Sequence, residues 1–101
     1  MSQQGLVVEG PLGRIELTGA ALASLAARSA ESIADVRVLR SRKRLRVTVA
    51  SSSVHVEVGI DTVFGHALPD LGEAVQRSVA RAVGASTGLP TSVDVTFEEL
   101  R

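Results

Sequence analysis

Between Asp35 and Asp61, apolar and polar residues alternate with a period of two. Val36 and Val38 alternate with Arg37 and Leu39. Leu45, Val47 and Val49 alternate with Arg44, Arg46 and Thr48, and Val54, Val56, Val58 and Ile60 with His55, Glu57, Gly59 and Asp61. That period puts one set of side chains in a core and the other in water, the pattern of an antiparallel sheet with one exposed face. Ser41-Arg42-Lys43 and Ser51-Ser52-Ser53 separate the runs and read as hairpin turns. Arg46 and Glu57 both fall on the polar face, where a cross-strand pair contributes at most about 1 kcal/mol. Two further alternating runs predict a strand near each end of the chain. Arg14 to Leu17 directs Ile15 and Leu17 to one face, and Ser92 to Glu98 directs Val93, Val95 and Phe97 inward. Upstream, Leu6-Val7-Val8 reads either as a short strand or as part of a tail, punctuated by Gly10-Pro11-Leu12-Gly13.

Two segments switch to the helical period. Thr18 is a suitable N-cap for an alanine-rich helix from Ala20 to Ala34, with Leu22, Leu25, Ala26 and Ile33 on one stripe. Much of its surface is alanine or serine, which lets a helix lie close against a sheet or a second helix. Pro69 opens the other helix, since proline is tolerated in the first helical turn. Its inner stripe is predicted as Leu68, Leu71, Val75, Val79, Ala82, Val83 and Ser86, with Glu73 and Arg77 outside it at the i,i+4 spacing. Gly88 as C-cap and Pro90 two residues later form the stop signal. The order is strand, helix, three strands, helix, strand. The expected fold is α+β: a two-layer sandwich with two helices on one face of a mainly antiparallel sheet, residues 13–101 forming one domain behind a tail or short strand at 1–12.

A length of 101 residues suits a single domain, and 45% apolar with 22% charged residues is globular composition. Phe64 and Phe97 are the only aromatic residues, so the core is aliphatic, and rings for stacking bases or caging cations are lacking. The absence of cysteine excludes disulfides, thiol catalysis and cysteine-ligated metals. No apolar run approaches the roughly 18–20 residues of a membrane span, and Met1-Ser2-Gln3-Gln4 does not open a secretory signal. A cytoplasmic protein is expected.

Residues suited to catalysis are sparse. His55 falls on the polar face of a strand and His66 in the loop before the second helix, with no His-x-His or HExxH spacing. A metal set of these two with Asp61 is weaker than the reading of both as surface or loop residues. There is no Gly-x-Ser-x-Gly elbow and no phosphate-cradling glycine loop. A serine–histidine–aspartate set is not excluded by composition, and His66 with Asp61 or Asp70 is the remaining enzyme reading. The expectation is a non-enzymatic protein with no cofactor and no metal.

Charge adds one feature. Eleven basic residues balance eleven acidic ones, but six of the basic residues, Arg37, Arg40, Arg42, Lys43, Arg44 and Arg46, fall within ten positions. This cluster is the candidate partner-binding site. It reads either as a patch for phosphates or an acidic partner surface, or as a solvated segment whose arginines keep edge strands from mispairing.

A longer pattern overlies these elements. It comprises Gly13-Arg14-Ile15-Glu16-Leu17 ahead of an alanine-rich helix, Val56-Glu57-Val58-Gly59-Ile60, Phe64-Gly65 and Leu68-Pro69-Asp70-Leu71. It continues through Val75-Gln76 with Val79 and Val83, Thr87-Gly88-Leu89 and Val93-Asp94-Val95. In order and spacing it resembles the bacterial alkaline shock protein family, the envelope stress response family of Gram-positive bacteria, over about residues 13–98. The resemblance implies a non-enzymatic stress-response protein without a cofactor. It implies self-association into a homo-oligomer, or docking on a membrane-anchored relative at the inner face of the cell membrane. The alternative from a different class is a small RNA-binding module that uses the basic segment Arg40–Arg46.

Overall fold

The computed structural model describes residues 5–34, 36–41, 43–62 and 68–98. The elements in order are β1 (Leu6–Gly10), β2 (Gly13–Leu17), α1 (Gly19–Glu31), β3 (Val36–Leu39), β4 (Leu45–Val49), β5 (Val54–Thr62), α2 (Leu68–Thr87) and β6 (Thr91–Phe97). The fold is α+β, with both helices on one face of a mainly antiparallel sheet, as the periodicity predicts.

β5 is the spine of the sheet. β4 pairs antiparallel with its first half, Leu45 opposite Val58 through Val49 opposite Val54. β3 pairs antiparallel with its second half, Val36 opposite Thr62 through Leu39 opposite Gly59. β6 runs parallel to β5, Val54 beside Thr91 through Ile60 beside Phe97. Because β6 overlaps both partner stretches, β3 and β4 share the other edge of β5.

Ser41-Arg42-Lys43 is therefore not a hairpin turn. β3 and β4 point the same way and together form one interrupted strand. Leu39 and Leu45 face adjacent residues of β5, so residues 40–44 are an excursion from the sheet, closed by Arg44 and Leu45 N–H groups on the Ser41 carbonyl. The physical reason is the phase slip between Val38 and Leu45, seven residues apart and both inward. Such a slip needs an interruption, which a bulging excursion satisfies as well as a reversal does. The true reversal is at Ser51-Ser52-Ser53, where Ala50 N–H donates to the Ser53 carbonyl across a tight loop.

The predicted Arg14–Leu17 strand forms, but outside the main sheet. β2 pairs only with β1, Leu6 opposite Leu17 and Gly10 opposite Gly13, in a separate two-stranded hairpin. Gly13, at φ +139°, makes its turn. Leu17 packs against the core at the foot of this arm, while Ile15 and Leu12 stand in solvent.

Among the described residues the buried core is aliphatic, with Phe97 packed against it. Val36, Val38, Leu45, Val47, Val54, Val56, Val58, Ile60 and Val93 come from the sheet. From α1 come Leu22, Ala23, Ala26, Ala27 and Ala30, a closer-lying stripe than the one predicted through Leu25 and Ile33, which are half-buried. Thr18 caps α1 by accepting the Ala21 N–H at 3.1 Å. α2 buries Gly72, Val75, Val79, Val83 and Thr87. Leu68 and Ser86, assigned above to its inner stripe, are exposed, because the helix turns Gly72 toward Phe97 and Thr87 toward its own terminus.

The two helices run antiparallel. α1 ends just before β3, whose Val36 faces Thr62 at the end of β5, and α2 begins six residues after Thr62. Ser78, midway along α2, donates to the Ser29 carbonyl near the end of α1. The first turns of α2 thus extend past α1 and lie over the end of β6.

Candidate functional site

The outer face of the sheet gathers most of the polar residues singled out above. In register across it lie Thr48, His55 and Ser92, then Arg46, Glu57 and Asp94, then Gly59 and Thr96, with Arg37 opposite Asp61 at the far end of β5. This face results from the period of two, which turns every odd residue of β5 away from the helices.

Two cations of the basic segment enter ion pairs. Arg40 forms an ion pair with Glu31 at the end of α1, and the same carboxylate accepts the Val38 N–H at 2.9 Å. Glu31 thereby covers part of the outer edge of β3. Arg44 reaches over Gly59 to Glu98, 3.3 Å away. Arg46 stands opposite Glu57, confirming the predicted cross-strand register, and Arg37 stands opposite Asp61. Lys43 lines a shallow polar recess with Arg44, Glu57, Asp94 and Glu98, so acidic groups surround it as well. Arg42 lies outside the described residues. Arg40 and Arg44 are thus tied to α1 and to the end of β6, while Arg37 and Arg46 stand in register with acids of β5.

His55 is held on both sides. Its Nδ1 lies 2.7 Å from Ser92 Oγ, and its Nε2 lies 3.1 Å from Asp94 Oδ2 and 3.9 Å from Glu57 Oε2. These are the residue types of a serine–histidine–aspartate relay with the two ring nitrogens exchanged, brought together by the parallel register that sets His55 beside Ser92 and Glu57 beside Asp94. Sequence spacing does not show it, since the residues meet only through β5–β6 pairing. The catalytic surroundings differ from a hydrolase. In the register of the sheet the His55 N–H faces β4 and the Ser92 N–H faces β5, both inside ladders, so these amides do not converge beside Ser92 Oγ to hold an oxyanion. Asp94 is 73% exposed, which leaves its charge well solvated. Through these contacts the group links β5 to β6. His66, with which the other enzyme reading was built, lies outside the described residues, and no group of three metal-ligating side chains occurs among the described residues.

The sheet's remaining edge carries different chemistry. In the parallel ladder the even residues of β6 bond to β5, as Glu98 N–H does to the Ile60 carbonyl, so Thr91, Val93, Val95 and Phe97 turn their backbone groups outward. Gln76 of α2 donates to the Val93 carbonyl at 3.0 Å. Among the described residues, nothing pairs with the outward backbone groups of Val95. Beside this edge, Leu68, Pro69, Gly72, Val95 and Phe97, together with Glu73 and Gln76, line a groove of ≈ 300 Å³ that is more apolar than polar. This groove was not foreseen from the sequence. Its only signal was Leu68, which the helical period placed inside.

Among the described residues, no helix is long and apolar enough to cross a membrane. Comparison of the chain with protein-family models, curated proteins and solved structures gives no match in any of the three.

Proposed function

We propose that this protein is a non-enzymatic envelope stress response protein that works as an assembling scaffold, with copies of itself or docked on a membrane-anchored relative. The stress-response part rests on the resemblance of residues 13–98 to the alkaline shock protein family. The assembly part is supported by the β1–β2 arm, on which Leu12 is fully exposed and Ile15 half-exposed. A two-stranded hairpin is marginal alone in water, and an apolar face on one calls for a second surface. The alternative RNA-binding reading loses force from the ion pairs of Arg40 and Arg44 and from the acidic neighbours of Arg37 and Arg46.

Light scattering over a concentration series at low and high salt tests this reading. Mass that grows with concentration and persists in high salt is the expected outcome, because apolar contacts are not screened. Growth abolished by salt would move the contact to the Arg40–Arg46 segment. A monomer at every concentration that also captures no membrane-anchored relative would overturn the proposal.

A further inference from the structure

The arm and the groove lie at opposite ends of the molecule. The arm joins the body at Leu17, just before the start of α1, whereas the groove lies where α2 begins and β6 ends. α1 alone separates these ends by about 20 Å, from its 13 residues at 1.5 Å each. The longest dimension of the molecule is 49 Å, against about 30 Å for the 20-residue α2. The arm accounts for the rest, since five extended residues reach about 17 Å. An arm anchored at one end does not reach the groove at the other end of the same chain.

We infer that two copies exchange arms: the β1–β2 hairpin of each seats Ile15 and Leu12 in the partner's groove between Leu68 of α2 and Val95 of β6. This names the contact through which the self-assembly proposed above occurs, and it rests on that reading. The complementarity is chemical. The arm offers Leu12 at 100% exposure and Ile15 at 52%, and the groove is bordered by Leu68 at 42%. The outward N–H and C=O groups of Val95 offer the arm's strand a ladder to join, as in strand addition at a sheet edge.

Area decides between an open chain and a closed pair. One face of the arm, about 17 Å long and two strands wide, has a footprint of about 170 Å² and on the order of 300 Å² of accessible surface. A single arm-in-groove contact then buries about 600 Å² over both partners, below the range of stable interfaces. Two contacts related by a two-fold axis bury about 1,200 Å², the lower end of that range, so reciprocal exchange is the stable form.

The test uses the full chain and two surface variants. Ile15→Glu alters the arm and Leu68→Glu alters the groove. Both positions are exposed, and Leu68→Glu adds an acid to the first turn of α2, where it suits the helix dipole, so both variants fold, which their thermal melts verify. Sedimentation of the wild type is expected to show a dimer, and each variant is expected to weaken it at least tenfold. A mixed pair has one intact contact, so mixing is expected to give association tighter than either variant alone and weaker than the wild type. A dimer that neither variant weakens would overturn this contact and leave assembly standing. Weakening by Ile15→Glu alone, without recovery on mixing, would mean that arms pair with arms, and would equally overturn it. A wild-type monomer at every concentration would overturn both the contact and self-assembly.

Discussion

Arg44 lies across Gly59. The Gly59 N–H donates to the Arg44 carbonyl, and a Cβ built at Gly59 would stand 3.0 Å from Arg44 Cβ and 3.2 Å from its Cγ. The glycine is thus the space into which the chain returns from the 40–44 excursion, and it lets Arg44 reach Glu98 across the sheet. Gly59→Val is expected to destabilise the protein by about 1–3 kcal/mol, the cost of overpacking a filled position. Arg44→Gly alone loses a half-buried ion pair and adds backbone freedom, costing about 1–2 kcal/mol. Combined, the two changes should cost less than their sum, because removing the Arg44 side chain vacates the space that the introduced valine side chain fills. Urea titrations of the four proteins measure the coupling, and strict additivity would show that the close approach carries no energy.

Glu31 performs two tasks with one carboxylate, accepting the Val38 N–H and pairing with Arg40. The tasks separate by mutation. Glu31→Ala leaves a part-buried strand-edge N–H without its acceptor and should cost about 1–3 kcal/mol. Glu31→Gln keeps an acceptor oxygen and should cost less. Arg40→Ala removes only a half-exposed ion pair and should cost under about 1 kcal/mol. Denaturant midpoints rank the three, and an Arg40→Ala loss as large as that of Glu31→Ala would make the ion pair, not the N–H, the main contribution.

Ala27 is fully buried on α1, among Ala23, Ala26 and Ala30. This stripe lets α1 lie close to the sheet and α2, so added volume has nowhere to go. Ala27→Leu is expected to destabilise by about 1–3 kcal/mol, while Ala20→Leu, at an exposed position on the same helix, should stay within about 0.5 kcal/mol. Thermal melts of the two variants distinguish packing from helix propensity, and equal losses would refute the tight stripe.

Elements whose signals are local were legible in the sequence. The period of two located β3, β4, β5 and β6, and Thr18 and Gly88 marked helix ends from single side chains. What the sequence hid depends on direction or partnership. The phase slip between Val38 and Leu45 is the same for a reversal and for an excursion, and only pairing with Gly59 and Val58 distinguishes them. Arg14 to Leu17 showed a strand but not whether it joined the main sheet. The basic cluster was visible as six cations, while Glu31 and Glu98, which pair with Arg40 and Arg44, lie on distant elements. Likewise, His55 meets Ser92 and Asp94 only because α2 carries the chain back to lay β6 parallel to β5.

The end of α2 is where a sequence triplet acquires a physical cause. Thr87 is buried, donates its hydroxyl to the Val83 carbonyl at 2.8 Å and accepts the Leu89 N–H at 3.2 Å. Gly88 follows at φ +73°, the left-handed conformation that ends a helix, and its N–H donates to the Gly84 carbonyl. One hydroxyl therefore bonds back to the preceding turn and holds the Leu89 amide, the second beyond the helix, and so sets the path into β6. Thr87→Val keeps the shape and removes both bonds, at an expected cost of about 1–3 kcal/mol. Thr87→Ser retains the hydroxyl and should lose less, mainly the packing of one methyl group. Gly88→Ala strains a positive φ and should cost about 1 kcal/mol. Because Thr87 directs the exit toward β6, Thr87→Val should also raise amide hydrogen exchange at Leu89 and along the start of β6 more than in β4. Uniform acceleration over the whole sheet would instead indicate a global loss of stability, with no directing role for the hydroxyl.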